Sequence, residues 1–207
     1  MIITYYGKQF FKIQQGDTTV AINPVGKKSK IKAAKFGADI AVSSLNHVDF
    51  NGVEDMKYGD KVPFAITGPG EYERSGIFVK GFGAESSYEK ENKINTIYSI
   101  LIDNINIAFL GVLNTPELSN EIKEGLDGID ILFVPTGGGE VLAPEEAHKL
   151  STKLGPSIII PMDYDDKSLK QFLKEAGSES LKAVDKLTIK KKDVESKEGE
   201  IVVLKSL

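Results

Sequence analysis

His47 and Asp49 stand two residues apart in the segment Val42-Ser-Ser-Leu-Asn-His-Val-Asp-Phe-Asn-Gly52. An imidazole and a carboxylate at this spacing can hold a divalent cation as a residual mononuclear site, or can hydrogen-bond to each other and shape the loop. Leu45 and Phe50, on either side, ligate nothing. The only other histidine is His148, and there is no cysteine. A tri-histidine zinc centre is therefore excluded by counting, and so are thiolate sites; zinc would need His and carboxylate ligands. His148 lies among charged residues in a helix-like segment and reads as a surface or half-buried helix position. No motif sets a serine beside a histidine, so no Ser-His-Asp triad is argued.

Two other stretches carry groups that could act. In Gly68-Pro-Gly-Glu-Tyr-Glu73 the carboxylates of Glu71 or Glu73 could reach a pocket, although the glycines and proline read first as a tight turn. Pro135-Thr-Gly-Gly-Gly-Glu-Val141 precedes a helix start, as a phosphate cradle would, but no Walker lysine-serine follows and no complete Gly-x-Gly-x-x-Gly is present.

The elements that must position these groups come in a recognisable order. Residues 2–6, 10–14 and 18–22 are rich in β-branched and aromatic residues, separated by Gly7 and Gln15-Gly16-Asp17, and predict an antiparallel meander. Further strands are expected at 38–43, which leads into the His47 loop, and at 61–66, 77–82, 95–103 and 105–110, the last two joined by a turn at Asp103-Asn104. Helices enter afterwards: from Thr115-Pro116 to about Leu126, from Ala143-Pro144 to about Leu154, and over 165–176. Buried strands at 129–135 and 157–161 alternate with them. Residues 186–192 and 200–205 read as a closing hairpin around a solvated charge run. Antiparallel strands followed by alternating helices and strands indicate a layered α/β arrangement, distinct from a simple doubly wound sheet.

The 207 residues, 41% hydrophobic, fit a single domain over 1–207. A chain of this length buries roughly 70% of its unfolded surface and needs no staples. The formal charge of -4 implies no basic face, so nucleic acid is not an expected partner. No apolar run approaches the roughly 18–20 residues of a membrane span, and Met1–Phe11 lacks the pattern of a signal peptide. A cytoplasmic protein without membrane contact is expected.

Five segments, in order, resemble the metallo-β-lactamase superfamily, in particular its small bacterial Zn-dependent hydrolase-like branch. ITYYGKQFFKI…TTVAINP is similar to that branch's opening, usually Gly-His-Ser and then a strand ending in Asp-Pro. ADIAVSSLNHVDFNG falls where the family carries His-x-His-x-Asp-His. GPGEYERSGIFVKG resembles its Pro-Gly-Glu-Tyr-Glu segment, and IAFLGVL the strand that ends in Gly-Asp. DGIDILFVPTGGG…LAPEEAHKL…GPSIIIPMDY resembles the closing region, which usually ends in Pro-Met-His-Tyr. The resemblance spans nearly the whole chain. It implies a four-layer αββα sandwich of two mixed, mostly antiparallel sheets flanked by helices, with a metal site on loops at one sheet edge.

The same resemblance implies that most of the site has been rewritten. The histidine and aspartate of the central motif remain as His47 and Asp49, while Leu45 and Phe50 occupy histidine positions. The bridging aspartate falls on Val112, the last histidine on Asp163, the opening histidine on Lys8 and the Asp-Pro aspartate on Asn23. Removing a dication from a carboxylate cluster leaves like charges facing one another, and these replacements lower that cost. The Lys8 ammonium is expected near the former metal position, neutralising Asp49 or Asp163. Three readings follow. The first is a non-catalytic relative with no cofactor, acting in ligand binding or assembly with an unknown small molecule or protein, or as a homo-oligomer. The second is a mononuclear zinc-dependent hydrolase of an ester, amide or phosphoester using His47, Asp49 and Asp163. The third is a metal-free enzyme with Asp49 or Asp163 as general base. Asp163 could equally be a strand-end residue paired with a cation or capping the helix that follows.

Overall fold

The structure is a computed structural model and describes residues 1–32 and 34–207. Among the described residues, thirteen strands form two sheets that face each other. The first sheet is built from β1 (Ile2–Tyr5), β2 (Phe11–Gln15), β3 (Thr18–Ile22), β4 (Ile40–Val42) and β5 (Phe64–Ile66), with β12 (Leu187–Thr188) outside β1. The second contains β6 (Gly70–Arg74), β7 (Ile77–Tyr88), β8 (Glu91–Ile102), β9 (Ile105–Phe109), β10 (Ile131–Pro135), β11 (Ile158–Met162) and β13 (Glu200–Ile201), in the order β13-β11-β10-β9-β8-β7-β6. Both are mixed: β3-β4-β5 and β9-β10-β11-β13 run parallel, and the remaining pairs are antiparallel.

Period-two alternation explains the layers. Ile3, Tyr5, Phe11, Ile13, Val20, Ile22, Ile40 and Val42 point from the first sheet into the core that the second sheet closes with Ile100, Ile107, Phe109, Phe133 and Ile160. Phe11 stacks edge-on against Phe133 at 4.6 Å between centroids, the favoured aromatic geometry. On the outer face of the second sheet, Ala108, Leu110, Leu132 and Val134 meet Ile122 of α1 (Asn120–Gly125), Ala147 and Leu150 of α2 (Pro144–Leu154) and Phe172 of α3 (Asp166–Glu175). The outer face of the first sheet presents the small residues Ala21 and Ala41 and is covered by Val25, Ile31, Ala34, Phe36 and Ala38 and a 3-10 turn at Val53–Met56. No described helix is long and apolar enough to cross a membrane.

Several expected elements change. The Gly-Pro-Gly-Glu-Tyr-Glu stretch is an edge strand, β6, paired with β7, and its Glu71 bonds Lys80 at 2.9 Å. Charged side chains on an edge strand discourage pairing with another chain. The first helix begins only after Ser119, whose hydroxyl accepts the Ile122 N–H; Leu118 is buried before it, so the Thr115-Pro116 signal starts no helix. The tail is not a hairpin: β12 joins one sheet and β13 the other, with a short helix α4 (Lys191–Val194) between them. Val194 is buried in the inter-sheet core, and Lys191 pairs with Asp130 at 2.8 Å, which explains how a charge run crosses from sheet to sheet.

β7 and β8 are each 12 residues long, longer than the strands expected at 77–82 and 95–103. The extra residues form a hairpin whose tip, Glu89-Lys90, has φ of 51° and 65°, the left-handed pair of a type I′ turn. That hairpin carries Tyr88 and Glu89 to the same edge as the strand ends of β3, β4, β9, β10 and β11.

Candidate functional site

Six chain segments meet at this edge, and Ser29 and the loop at Glu140-Val141 add two more. The turn between β1 and β2 contributes Lys8 and Gln9; the end of β3 contributes Asn23; the loop after β4 contributes Leu45, His47, Asp49 and Phe50. Val112 follows β9, Asp163 follows β11, and Tyr88 and Glu89 come from the hairpin. Lys8, Asn23 and Asp163 all have left-handed backbone, with φ of 54°, 48° and 53°. For residues other than glycine this costs about 1–2 kcal/mol each, so something must hold them. The Asp163 N–H donates to the Lys8 carbonyl at 2.6 Å, and the Asn23 N–H to the Val42 carbonyl at 2.7 Å.

The charges resolve into two separate groups. In the first, Lys8 Nζ lies 3.1 Å from Asp163 Oδ1, while Gln9 Nε2 donates to Asp163 Oδ2 at 2.8 Å. Gln9 Oε1 accepts from Asn23 Nδ2, which also donates to Ser44 Oγ, and Asn23 Oδ1 accepts the Ser44 N–H at 2.7 Å. Asp163 therefore does not cap the following helix; Asp165 does, accepting the Ser168 N–H at 2.7 Å. In the second group, Asp49 accepts hydroxyl bonds from Ser29 and, at 2.9 Å, from Tyr88. His47 Nδ1 accepts the Asp49 N–H at 3.2 Å, which leaves the ring proton on Nε2, 3.4 Å from Glu89 Oε2. Glu140, in the glycine-rich loop, accepts the Glu89 N–H at 2.6 Å and so braces the hairpin tip.

Between the two groups lies an apolar plug. Leu45, Phe50, Tyr88, Val112 and Val141 pack together and are buried. Phe50 meets Tyr88 edge-on at 5.1 Å, and the Lys8 ammonium sits 5.5 Å and 5.3 Å from the two ring centroids. A partly desolvated ammonium over aromatic faces is favourable. Burial raises the Tyr88 phenol well above its ordinary range, and the bond to Asp49 and the charges of Asp49, Asp163 and Glu140 add to this.

Of the residues singled out in the sequence, Lys8, Asn23 and Asp163 meet in one hydrogen-bonded set. Leu45, Phe50 and Val112 meet in the plug, and His47 and Asp49 share the rim. His47, Asp49 and Asp163 do not form a common cluster. Among the described residues the group whose ligand atoms lie within 4.8 Å of one another is His47, Asp49 and Glu89. Sequence reasoning missed Gln9, Ser29, Tyr88 and Glu89. The alternation of β7 continues through Ser86 and Tyr88 and could have placed the last two. The Glu89-Lys90 turn lacks the Asn-Gly or Asp-Gly pair that marks such hairpins. His148 is half-buried on α2, edge-on to Phe172, away from these groups.

A binuclear centre of the kind the resemblance implies does not fit this donor set. Phe50 and Val112 are fully buried where ligands would stand, and Lys8 supplies a cation against Asp163. Asp49 already receives two hydroxyl donors, and the two nitrogens of His47 face different carboxylates. A single cation at the rim would have to take Asp49 from Ser29 and Tyr88.

The comparisons with known proteins agree with the architecture. A metallo-β-lactamase superfamily protein of Thermotoga maritima superposes with a TM-score of 0.73 at 24% identity, covering 98% of this chain and 97% of that one. Igni18, a metallo hydrolase of Ignicoccus hospitalis, gives 0.63 at 19% identity, covering 91% and 99%. YhfI of Bacillus subtilis, a metallo-β-lactamase fold protein, gives 0.64 at 11% identity, covering 99% and 96%. No curated protein matches the chain by sequence. The sequence profile of the β-lactamase superfamily domain matches residues 2–163, so that the chain belongs to the metallo-β-lactamase superfamily.

Proposed function

We propose that this chain is a non-catalytic member of its superfamily, working without a metal and retained for binding a small molecule or protein or for assembly. One observation carries the reading: the Lys8 ammonium lies 3.1 Å from Asp163 and over the rings of Phe50 and Tyr88. A lysine, two aromatic rings and Val112 together take over the charge balance and the volume that ligands and solvent would otherwise need. A catalytic metal requires open coordination and an ordered water pocket. The plug supplies neither. The hydroxyl donors on Asp49 also argue against its use as a general base.

A second reading is favoured by the proximity of His47, Asp49 and Glu89. It is a mononuclear hydrolase in which Glu89 stands in for Asp163, whose carboxylate is engaged. Metal analysis of protein purified without tag or chelator separates the two. Substoichiometric metal, and no hydrolysis that depends on His47, is the expected result. Stoichiometric Zn, Mn or Fe lost together with hydrolytic activity in His47→Ala would overturn the proposal. The cytoplasmic location belongs to the same reading and is checked by fractionation.

A further inference from the structure

The outer face of the first sheet carries a cavity, and none of the residues lining it belongs to the site above. The segments 26–32 and 34–37 hold Lys27, Lys28, Lys30, Lys32 and Lys35, a local basic run in a chain of net charge -4. The cavity beneath it is open and measures about 640 Å³, within the roughly 300–1,000 Å³ typical of small-molecule sites. Its floor is Val25 and Met56, each 1% exposed, and its walls are Phe36 and Tyr58. Phe36 is fixed by stacking on Phe10 and Tyr6 at 5.4 Å and 5.3 Å, with the Lys12 ammonium 5.2 Å from its ring centroid. Tyr58 is 76% exposed, unusual for a large aromatic. It is nonetheless held in place: a Cβ on Gly37 would collide with the Tyr58 Cβ, so only glycine allows the chain to lie against it.

The rim is positive in a specific way. Lys27 is paired with Asp55 at 2.8 Å, and Asp55 also accepts the Lys27 N–H, so the acid at the rim is already neutralised. Lys35 and Lys57, which also line the cavity, make no ion pair among the described residues. An apolar floor with two ammonium groups outside any close ion pair, Lys57 acting on Asp55 only from farther away, complements a ligand that has one charge and a greasy body.

We propose that this cavity binds a monomeric amphipathic anion, an acyl or aryl body seated on Val25, Phe36, Met56 and Tyr58 with its carboxylate or phosphate at Lys35 and Lys57. The inference goes beyond the proposed function and does not depend on the state of the metal-site remnant. It gives that reading a concrete ligand class.

Calorimetric titration with dodecanoate, kept monomeric, tests it. The expected result is saturable one-to-one binding that Lys35→Glu/Lys57→Glu weakens by about tenfold or more. Tyr58→Ala should also weaken it, and neither variant should change thermal stability, because these side chains are exposed. Dodecyltrimethylammonium, with the same body and opposite charge, should not saturate the site. His47→Ala and Lys8→Ala should bind dodecanoate like the parent, which separates this test from that of the proposed function. Absence of saturable dodecanoate binding would overturn the proposal. So would equal binding of the cation, indifference to charge reversal, or binding only to phosphatidylglycerol vesicles, which would make the basic run a membrane-surface contact.

Discussion

Lys8 and Asp163 are joined twice: ammonium to carboxylate at 3.1 Å, and Lys8 carbonyl to Asp163 N–H at 2.6 Å. The backbone bond fixes two left-handed residues from opposite sheets, and the ion pair neutralises a carboxylate that is 12% exposed. Lys8→Ala keeps the backbone link and strands Asp163 with Gln9 as its remaining side-chain donor. The Lys8 side chain is a quarter exposed, so the full cost of a broken buried pair is discounted to about 1–3 kcal/mol. Urea denaturation should show that loss. Lys8→Ala/Asp163→Asn should cost less than the sum of the single changes, because removing both charges leaves no orphan. Additive losses would mean that the pair does not couple.

Val112→Asp restores the residue type usual at this family position, and it should be harmful here. Val112 is fully buried against Leu45, Phe50, Tyr88 and Val141. A carboxylate in that plug would be desolvated with no partner, at a cost of about 3 kcal/mol or more, or would stay protonated. The check is thermal denaturation with and without added zinc. A large drop in Tm that zinc does not repair is expected; a zinc-dependent rescue would show that one substitution suffices to reopen the centre.

These two residues also show what was legible in the sequence and what was not. Two-residue alternation and five ordered motifs were enough for the layers, because burial on one face of a strand dictates side-chain type every second residue. Leu45, Phe50 and Val112 could be named as replacements from position, but their packing against Val141 and Tyr88 depends on where a 12-residue hairpin ends. Glu89 escaped for the same reason: it is an exposed acid in a charged turn until Glu140 and His47 are brought beside it. The tail failed differently. Short β segments at 187–188 and 200–201 carry no signal of which sheet they join, and only the burial of Val194 between the sheets explains the crossing.

Gly111 sits at the turn between β9 and Val112 with φ of 60°. A Cβ there would lie 2.7 Å from Ser44 Cβ and would collide with Asn95 Oδ1, the acceptor of the Val112 N–H. Gly111→Ala should therefore break a buried bond as well as strain the backbone, a loss of about 2–4 kcal/mol. Chemical denaturation measures it. A change below about 0.5 kcal/mol, the usual size at unremarkable surface positions, would show that the Ser44 and Asn95 loops can move apart.

Four of the seven tyrosines, Tyr5, Tyr88, Tyr98 and Tyr164, are held above the ordinary phenol range, in each case chiefly by burial. A folded-state pKa above the unfolded value means their contribution to stability is full below about pH 10 and is lost as pH rises, since the unfolded chain releases the protons first. Phenolate absorbance from these four should therefore appear together with alkaline unfolding, as followed by circular dichroism. Tyr88→Phe removes one of them and the bond to Asp49, costing about 1–2 kcal/mol, and should speed amide exchange at the Glu89 turn. Gradual ionisation of all seven in the folded protein would contradict the packing described.

Asn23 offers a test in which pH reverses the effect. It is fully buried, and its amide nitrogen donates to Gln9 Oε1 at 3.0 Å and Ser44 Oγ at 2.8 Å. Asn23→Asp, the residue type usual at this family position, removes both donors and sets a carboxylate against the Gln9 oxygen. Burial and the lost donors favour the neutral acid, so its folded-state pKa should lie above the unfolded value of about 3.9. The variant's deficit should therefore be smallest below that pH, where the protonated carboxyl can donate to one acceptor. It should grow as pH rises through the folded-state pKa, to about 1–3 kcal/mol at neutrality. Urea titrations of parent and variant across the acid range give the difference directly. A deficit that stays flat with pH would mean that the carboxylate finds a cation, such as Lys8 of the Asp163 pair, and that the Gln9–Asn23–Ser44 set can rearrange around it.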